Sequence, residues 1–161
     1  DMSSSMRKGV RSVHFDELKQ AIFGLASDVQ FNVLCFDQRM FFFTKAKSLV
    51  PATLDEKVKV ERWLNELPAG ERTDVHRSVT TGLAMLREAL TNAPGQKAEL
   101  FVLTDGRETE STTSMNAVWN QYNRLPRQRC EVHMVALGRK GTPALRSLAQ
   151  HSGGQFVEAP K

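Results

Sequence analysis

Residues 100–106 read Leu100-Phe101-Val102-Leu103-Thr104-Asp105-Gly106. Four apolar residues in a row, with no polar alternation, describe a strand buried on both faces of a sheet. The run stops on a hydroxyl, a carboxylate and a glycine, so polar chemistry begins where the strand ends. In an open α/β sheet, ligands bind beyond the carboxyl ends of the strands. This one stretch therefore predicts a fold class and a place to look for function.

The flanking segments alternate between helix and strand. Phe15, Leu18, Ile22 and Leu25 step by three and four, one helical stripe, with Asp28 closing the helix. Residues 29–36 (VQFNVLCF) read as one strand, Asp37-Gln38-Arg39 as a turn, and residues 40–44 as a second strand, an antiparallel hairpin. Pro51 breaks the chain. Leu54, Val58, Leu64 and Leu67 predict a second helix, and Val75, Val79, Leu83, Leu86 and Leu90 a third. Met115, Val118, Trp119 and Tyr122 form a fourth helical face. Residues 132–137 are another apolar strand. Thr142-Pro143 starts a last helix through Leu145 and Leu148, and residues 155–157 form a final short strand after Gly153-Gly154. The expected architecture is α/β: a doubly wound, mostly parallel, Rossmann-like sheet with helices on both faces and one antiparallel edge hairpin.

The 161 residues suit a single domain over 1–161. With 40% hydrophobic and 25% charged residues, the composition excludes a fully disordered chain, a collagen and a disulfide scaffold. No run approaches the roughly 18 apolar residues of a membrane span. Cys35 and Cys130 are expected to be buried free thiols. The excess of 22 Lys and Arg over 18 Asp and Glu gives a net charge of +4. It is concentrated in Arg124, Arg127, Arg129, Arg139, Lys140 and Arg146, against Glu131 alone. This stretch reads as a solvated face or a contact for an acidic partner. A phosphate-binding patch is the alternative, but no aromatic interleaving or nucleic-acid motif accompanies it.

Nucleotide loops (G-x-G-x-x-G, G-x-x-x-x-G-K-[ST]) and the hydrolase elbow (G-x-S-x-G) are absent from the sequence. His14, His76, His133 and His151 lack metal-ligand spacing and read as structural or surface histidines. What the sequence does hold at its expected element ends is a set of hard oxygen donors. Asp1-Met2-Ser3-Ser4-Ser5 opens the chain, Thr73 precedes the third helix, and Asp105 follows the apolar strand. Such donors suit Mg²⁺, Mn²⁺ or Ca²⁺ and disfavour zinc or copper.

Asp1-x-Ser3-x-Ser5, Thr73 and the Leu-Thr-Asp-Gly of Asp105, in this order, resemble the signature of the von Willebrand factor A domain family. The ending with Gly153-Gly154 also resembles that family's last helix and strand. The resemblance implies a metal-ion-dependent adhesion site, with Ser3 and Ser5 binding the metal directly. Thr73 would bind directly or through water, and Asp1 and Asp105 mostly through water. Neutral hydroxyls leave the cation's charge poorly neutralised, so an Asp or Glu of a protein partner completes its shell. The implied function is an interaction module without catalysis, nucleic acid or membrane span. The family's first, central strand, which runs into the D-x-S-x-S loop, is missing here, and the expectation is a piece of a longer protein. In this family a glycine-rich stretch often precedes the threonine; here it reads Ala69-Gly70-Glu71-Arg72.

Two rival readings stand beside it. One is a Mg²⁺-dependent phosphoryl-transfer or hydrolytic enzyme, which needs a nucleophile or base and a cation aimed at phosphate. Lys8 and Arg107 lie close in sequence to the donors, but no such motif accompanies them. The other is a metal-free structural domain. Ser3 and Ser5 would then only cap the first helix, and Asp74 reads as a helix cap in either case. Asp37 reads as a local turn residue, Thr104 as structural, Phe41-Phe42-Phe43 as core and edge packing, and Trp119 and Tyr122 as core.

Overall fold

The computed structural model describes residues 1–2, 8–68, 70, 72–104, 113–126, 130–137 and 143–159, with the backbone alone at 8–14, 137 and 159. In chain order the elements are α1 (Lys8–Gly24), β1 (Gln30–Phe31), β2 (Leu34–Phe36), β3 (Met40–Phe42), β4 (Val50–Pro51), α2 (Leu54–Glu66), α3 (Val75–Asn92), β5 (Ala98–Thr104), α4 (Met115–Tyr122), β6 (Cys130–Leu137), α5 (Pro143–Ser152) and β7 (Phe156–Ala159). β5, β6 and β7 form a parallel sheet in that order. Its register runs from Ala98 opposite Cys130 to Thr104 opposite Ala136, and β7 joins with Phe156 opposite Met134. β2 and β3 form the expected antiparallel hairpin.

Neighbouring residues of β2 point to opposite faces, and each face has its own core. Phe36 joins Val79, Leu83, Val102, Val132, Met134, Leu145 and Leu148, a core shared by α3, α4, α5 and the parallel sheet. Cys35 and Val33 join Met2, Ile22, Phe31, Val60 and Leu64, a core shared by α1 and α2. Helices thus cover both faces of β2. Cys35 and Cys130 are both buried free thiols, one in each core. Burial pushes the Cys130 thiol up to about 11, and the charge of Glu131 adds to the rise.

The five apolar positions predicted for α3, from Val75 to Leu90, are all buried. Phe41, Phe43, Trp119 and Tyr122 pack partly buried against the two cores. Three expectations need correction. Residues 29–36 are not one strand, because the Asn32 side chain takes over local backbone groups. Its amide nitrogen donates to Thr44 Oγ1 at 2.7 Å and Ser48 O at 2.8 Å, while its oxygen accepts the Val33 N–H. The chain divides there, and β1 pairs instead with β4, where Pro51 lies opposite Gln30. An edge position suits proline, which has no N–H for a ladder.

The inner face of α2 is also rotated from the predicted stripe. Leu54 and Val58 are exposed, while Lys57, Val60 and Leu64 are buried. Lys57 is held inside because its amine donates to Phe23 O and Leu25 O, at 3.0 and 2.5 Å. A cation there also complements the negative end of the α1 dipole. Third, the apolar run in β5 is not buried on both faces. Val102 is buried, but Phe101 is 60% exposed. Odd-numbered residues of β5 point away from α3, and α1 and α2 pack over the hairpin side.

Gly154 marks a close backbone approach at the end of α5. A Cβ there would lie 2.1 Å from Val132 O. The rotated face of α2 gives a direct test. Leu64→Ala should lower the unfolding free energy in urea by about 2–5 kcal/mol. Leu54→Ala should change it by less than about 0.5 kcal/mol.

Candidate functional site

The carboxyl ends of β5 and β2 meet around the first two residues. Thr104, the last residue of β5, is buried and its hydroxyl donates to Asp1 Oδ2 at 2.7 Å. The Asp1 nitrogen donates to Leu103 O at 3.1 Å. On the other side, the Met2 N–H donates to Phe36 O at 2.7 Å. The Met2 carbonyl accepts from Gly70 N at 3.0 Å, and its side chain is buried in the α1–α2 core. Asp1 and Met2 therefore bridge the parallel sheet to the hairpin and tie both to the loop before α3.

That loop carries Thr73, which is fully buried. Asp74 caps α3, accepting from Arg77 N at 3.1 Å, as the sequence predicts. Asp37, at the end of β2, is more than a turn residue. Its carboxylate accepts from the Arg39 N–H and, at 2.7 Å, from the Arg39 guanidinium. Its carbonyl accepts from Asp74 N at 3.3 Å. Gly70 lies so close that an added Cβ would sit 2.4 Å from Asp37 Cβ. Only a glycine lets the loop pass. Burial raises the Asp37 pKa, but the side-chain and backbone hydrogen bonds of Arg39 and its charge outweigh it. The carboxyl is held below the usual carboxylate range.

Of the five predicted metal donors, Asp1 and Thr73 lie in segments that these bonds draw to one end of the sheet. Ser3, Ser5 and Asp105 lie outside the described residues. The two described donors fit a hard cation: both offer oxygen, and Thr104 orients the Asp1 carboxylate. Sequence reasoning missed Asp37 and the bond from Thr104. A glycine between two helices was the only signal for the first, and the second has none, since the partners are 103 residues apart.

A family model for the von Willebrand factor type A domain matches residues 1–157. The chain belongs to the von Willebrand factor type A domain family. Solved structures agree on the fold. A von Willebrand factor type A protein from Catenulispora acidiphila superposes with a TM-score of 0.82 at 17% identity, over 100% of this chain and 37% of that one. Proximal thread matrix protein 1 from the mussel byssus, with a zinc-occupied metal-ion-dependent adhesion site, gives 0.67 at 17% identity, over 100% and 42%. The human COPII-coat protein Sec24c gives 0.67 at 14% identity, over 100% and 28%. The chain thus spans about 28–42% of the length of these proteins. No curated protein matches it. Domains of this family generally serve as interaction modules rather than enzymes.

Other residues singled out from the von Willebrand factor A sequence have local roles. His76 Nδ1 lies 3.1 Å from Thr113 O, and His151 packs edge-on against Trp119 and Tyr122. The basic stretch is described only in part. Arg146 pairs with Glu158 and lies over the Phe156 ring at 4.2 Å. Arg127, Arg129, Arg139, Lys140, Arg107, Thr142 and the side chains of Lys8 and His14 lie outside the described residues. No described helix is long and apolar enough to cross a membrane.

The lowered pKa of Asp37 has a definite sign. A carboxyl whose folded pKa lies below its unfolded value of about 3.9 stabilises the fold above that value. This stabilisation disappears as pH falls toward the folded pKa. Asp37→Asn should lower stability at pH 7 by about 1–3 kcal/mol. Its stability should fall less than the wild type's between about pH 4 and pH 2 in acid-unfolding titrations.

Proposed function

We propose that this domain binds Mg²⁺, or alternatively Mn²⁺ or Ca²⁺, and presents it to a protein partner. The residues that would hold the cation are Asp1, Ser3, Ser5, Thr73 and Asp105. The observation that carries the reading is the Asp1 carboxylate, held by Thr104 at the end of β5 beside the segment that bears Thr73. An all-oxygen donor set fits hard cations. The mussel byssus protein, which shares this fold and has a zinc-occupied metal-ion-dependent adhesion site, supports a divalent metal in this reading.

The cation supplies an electrophilic centre for an anionic oxygen. The chain's own residues set how strongly it does so. Asp1 already accepts a hydrogen bond from Thr104, so part of its charge is spent within the protein. Ser3, Ser5 and Thr73 are neutral. With neutral hydroxyls in direct contact and the Asp1 and Asp105 carboxylates acting mostly through water, the cation's inner shell still takes an anionic oxygen, which a partner's Asp or Glu carboxylate supplies. Binding by this route is an equilibrium capture, with no bond made or broken.

Saturating Mg²⁺ or Mn²⁺, at about 100 times its Kd, should stabilise the protein by about 2.7 kcal/mol. Differential scanning calorimetry would read this as a raised Tm, and Asp105→Ala or Asp1→Ala should abolish the rise. A wild-type Tm indifferent to both ions would sink the proposal. A pull-down with and without chelator reads the partner side. Partner retained equally well in chelator would count against a metal bridge.

A further inference from the structure

We propose that Glu99, Glu131 and His133 form a second cation site, of the zinc class, on the exposed face of the parallel sheet. Glu99 stands opposite Glu131 in the β5–β6 register, and Phe101 stands opposite His133. All four are odd-numbered and share one sheet face. That face is opposite the one on which Thr104 meets Asp1, and Glu99 is five residues, roughly 17 Å, along the strand from it. The two cation sites are therefore independent.

Two carboxylates directly opposite each other on adjacent strands repel. Among the described residues, the one group that pairs with both is His133. Its Nε2 lies 3.8 Å from Glu99 Oε2 and 3.6 Å from Glu131 Oε2. That nitrogen is buried and has no hydrogen-bond partner. The ring cannot swing away freely, because Phe101 stacks on it at 4.6 Å with the planes 12° apart. The three ligand atoms lie within 4.8 Å of one another. A tetrahedral zinc with bonds near 2.1 Å needs its ligands about 3.4 Å apart. Small rotations of two half-exposed glutamates close that difference.

The donor chemistry selects the ion. One imidazole nitrogen and two carboxylates suit Zn²⁺ and leave a fourth position for water or a partner's ligand. Mg²⁺ prefers an octahedral oxygen shell. One local cost is visible. Gln155 N–H donates to His133 Nδ1 at 3.2 Å, which places the neutral ring's proton on Nε2. A metal on Nε2 moves that proton to Nδ1 and displaces the Gln155 bond. The exchange provides a spectroscopic marker.

The test is isothermal titration of zinc chloride into the 161-residue chain in saturating Mg²⁺, with ¹⁵N-resolved NMR of the same sample. One zinc per chain should bind, and the Gln155 amide resonance should shift as it does. His133→Gln and Glu99→Gln should each weaken that binding by at least about tenfold. Asp1→Ala should leave it unchanged. Glu99→Gln is at an exposed position and keeps the test open should the His133 variant misfold. Absence of zinc uptake, or uptake unchanged in Glu99→Gln, would overturn the site. So would uptake lost in Asp1→Ala, which would place the ion with the oxygen donors at the other end of the strand.

Discussion

Hydrogen bonding through Asp1 and Met2 joins the two halves of this domain. The Asp1 nitrogen and carboxylate reach Leu103 and Thr104 of the parallel sheet, and the Met2 amide reaches Phe36 of the hairpin. β2 and β5 do not pair with each other among the described strands. The Met2 carbonyl then receives Gly70, which fixes the loop before α3. A buried methionine in the α1–α2 core anchors the arrangement by apolar contact. The two described candidate donors take their positions from this junction, because Asp1 is part of it and Thr73 is three residues from Gly70.

The junction leans on Asp37. A carboxylate buried at the end of β2 needs compensation, and Arg39 supplies it through backbone and guanidinium. The Asp37 carbonyl holds the Asp74 amide, and its side chain leaves room beside it only for a glycine. Structural polarity and candidate function are thus separated. Asp37 and Asp74 hold backbone, while the Asp1 carboxylate accepts from the Thr104 side chain. The same division recurs in the histidines, where His76 meets Thr113 O, His151 packs against Trp119 and Tyr122, and His133 faces two carboxylates.

Helical periodicity was read well where one face is apolar and nothing competes. The α3 stripe from Val75 to Leu90 is buried throughout. It was misread in α2, because Lys57 spends its amine on the α1 carbonyls and turns its own face inward. The single strand read at residues 29–36 fails likewise, because Asn32 bonds across to Thr44 and Ser48 and divides it. Both errors come from polar side chains whose partners lie 12 or more residues away. Pattern counting treats such residues as surface.

The sequence by itself determined the α/β class and the chain order of the candidate oxygen donors. Those features depend on local periodicity and on which residue types follow a strand. Only the tertiary structure brought the Thr104 hydroxyl to the Asp1 carboxylate, from 103 residues away. Only the β5–β6 register set Glu99 beside Glu131 and His133, residues without any ligand spacing along the chain. Strand pairing brings together side chains that are remote in sequence, and the free energy that selects a register comes from whole faces of the sheet.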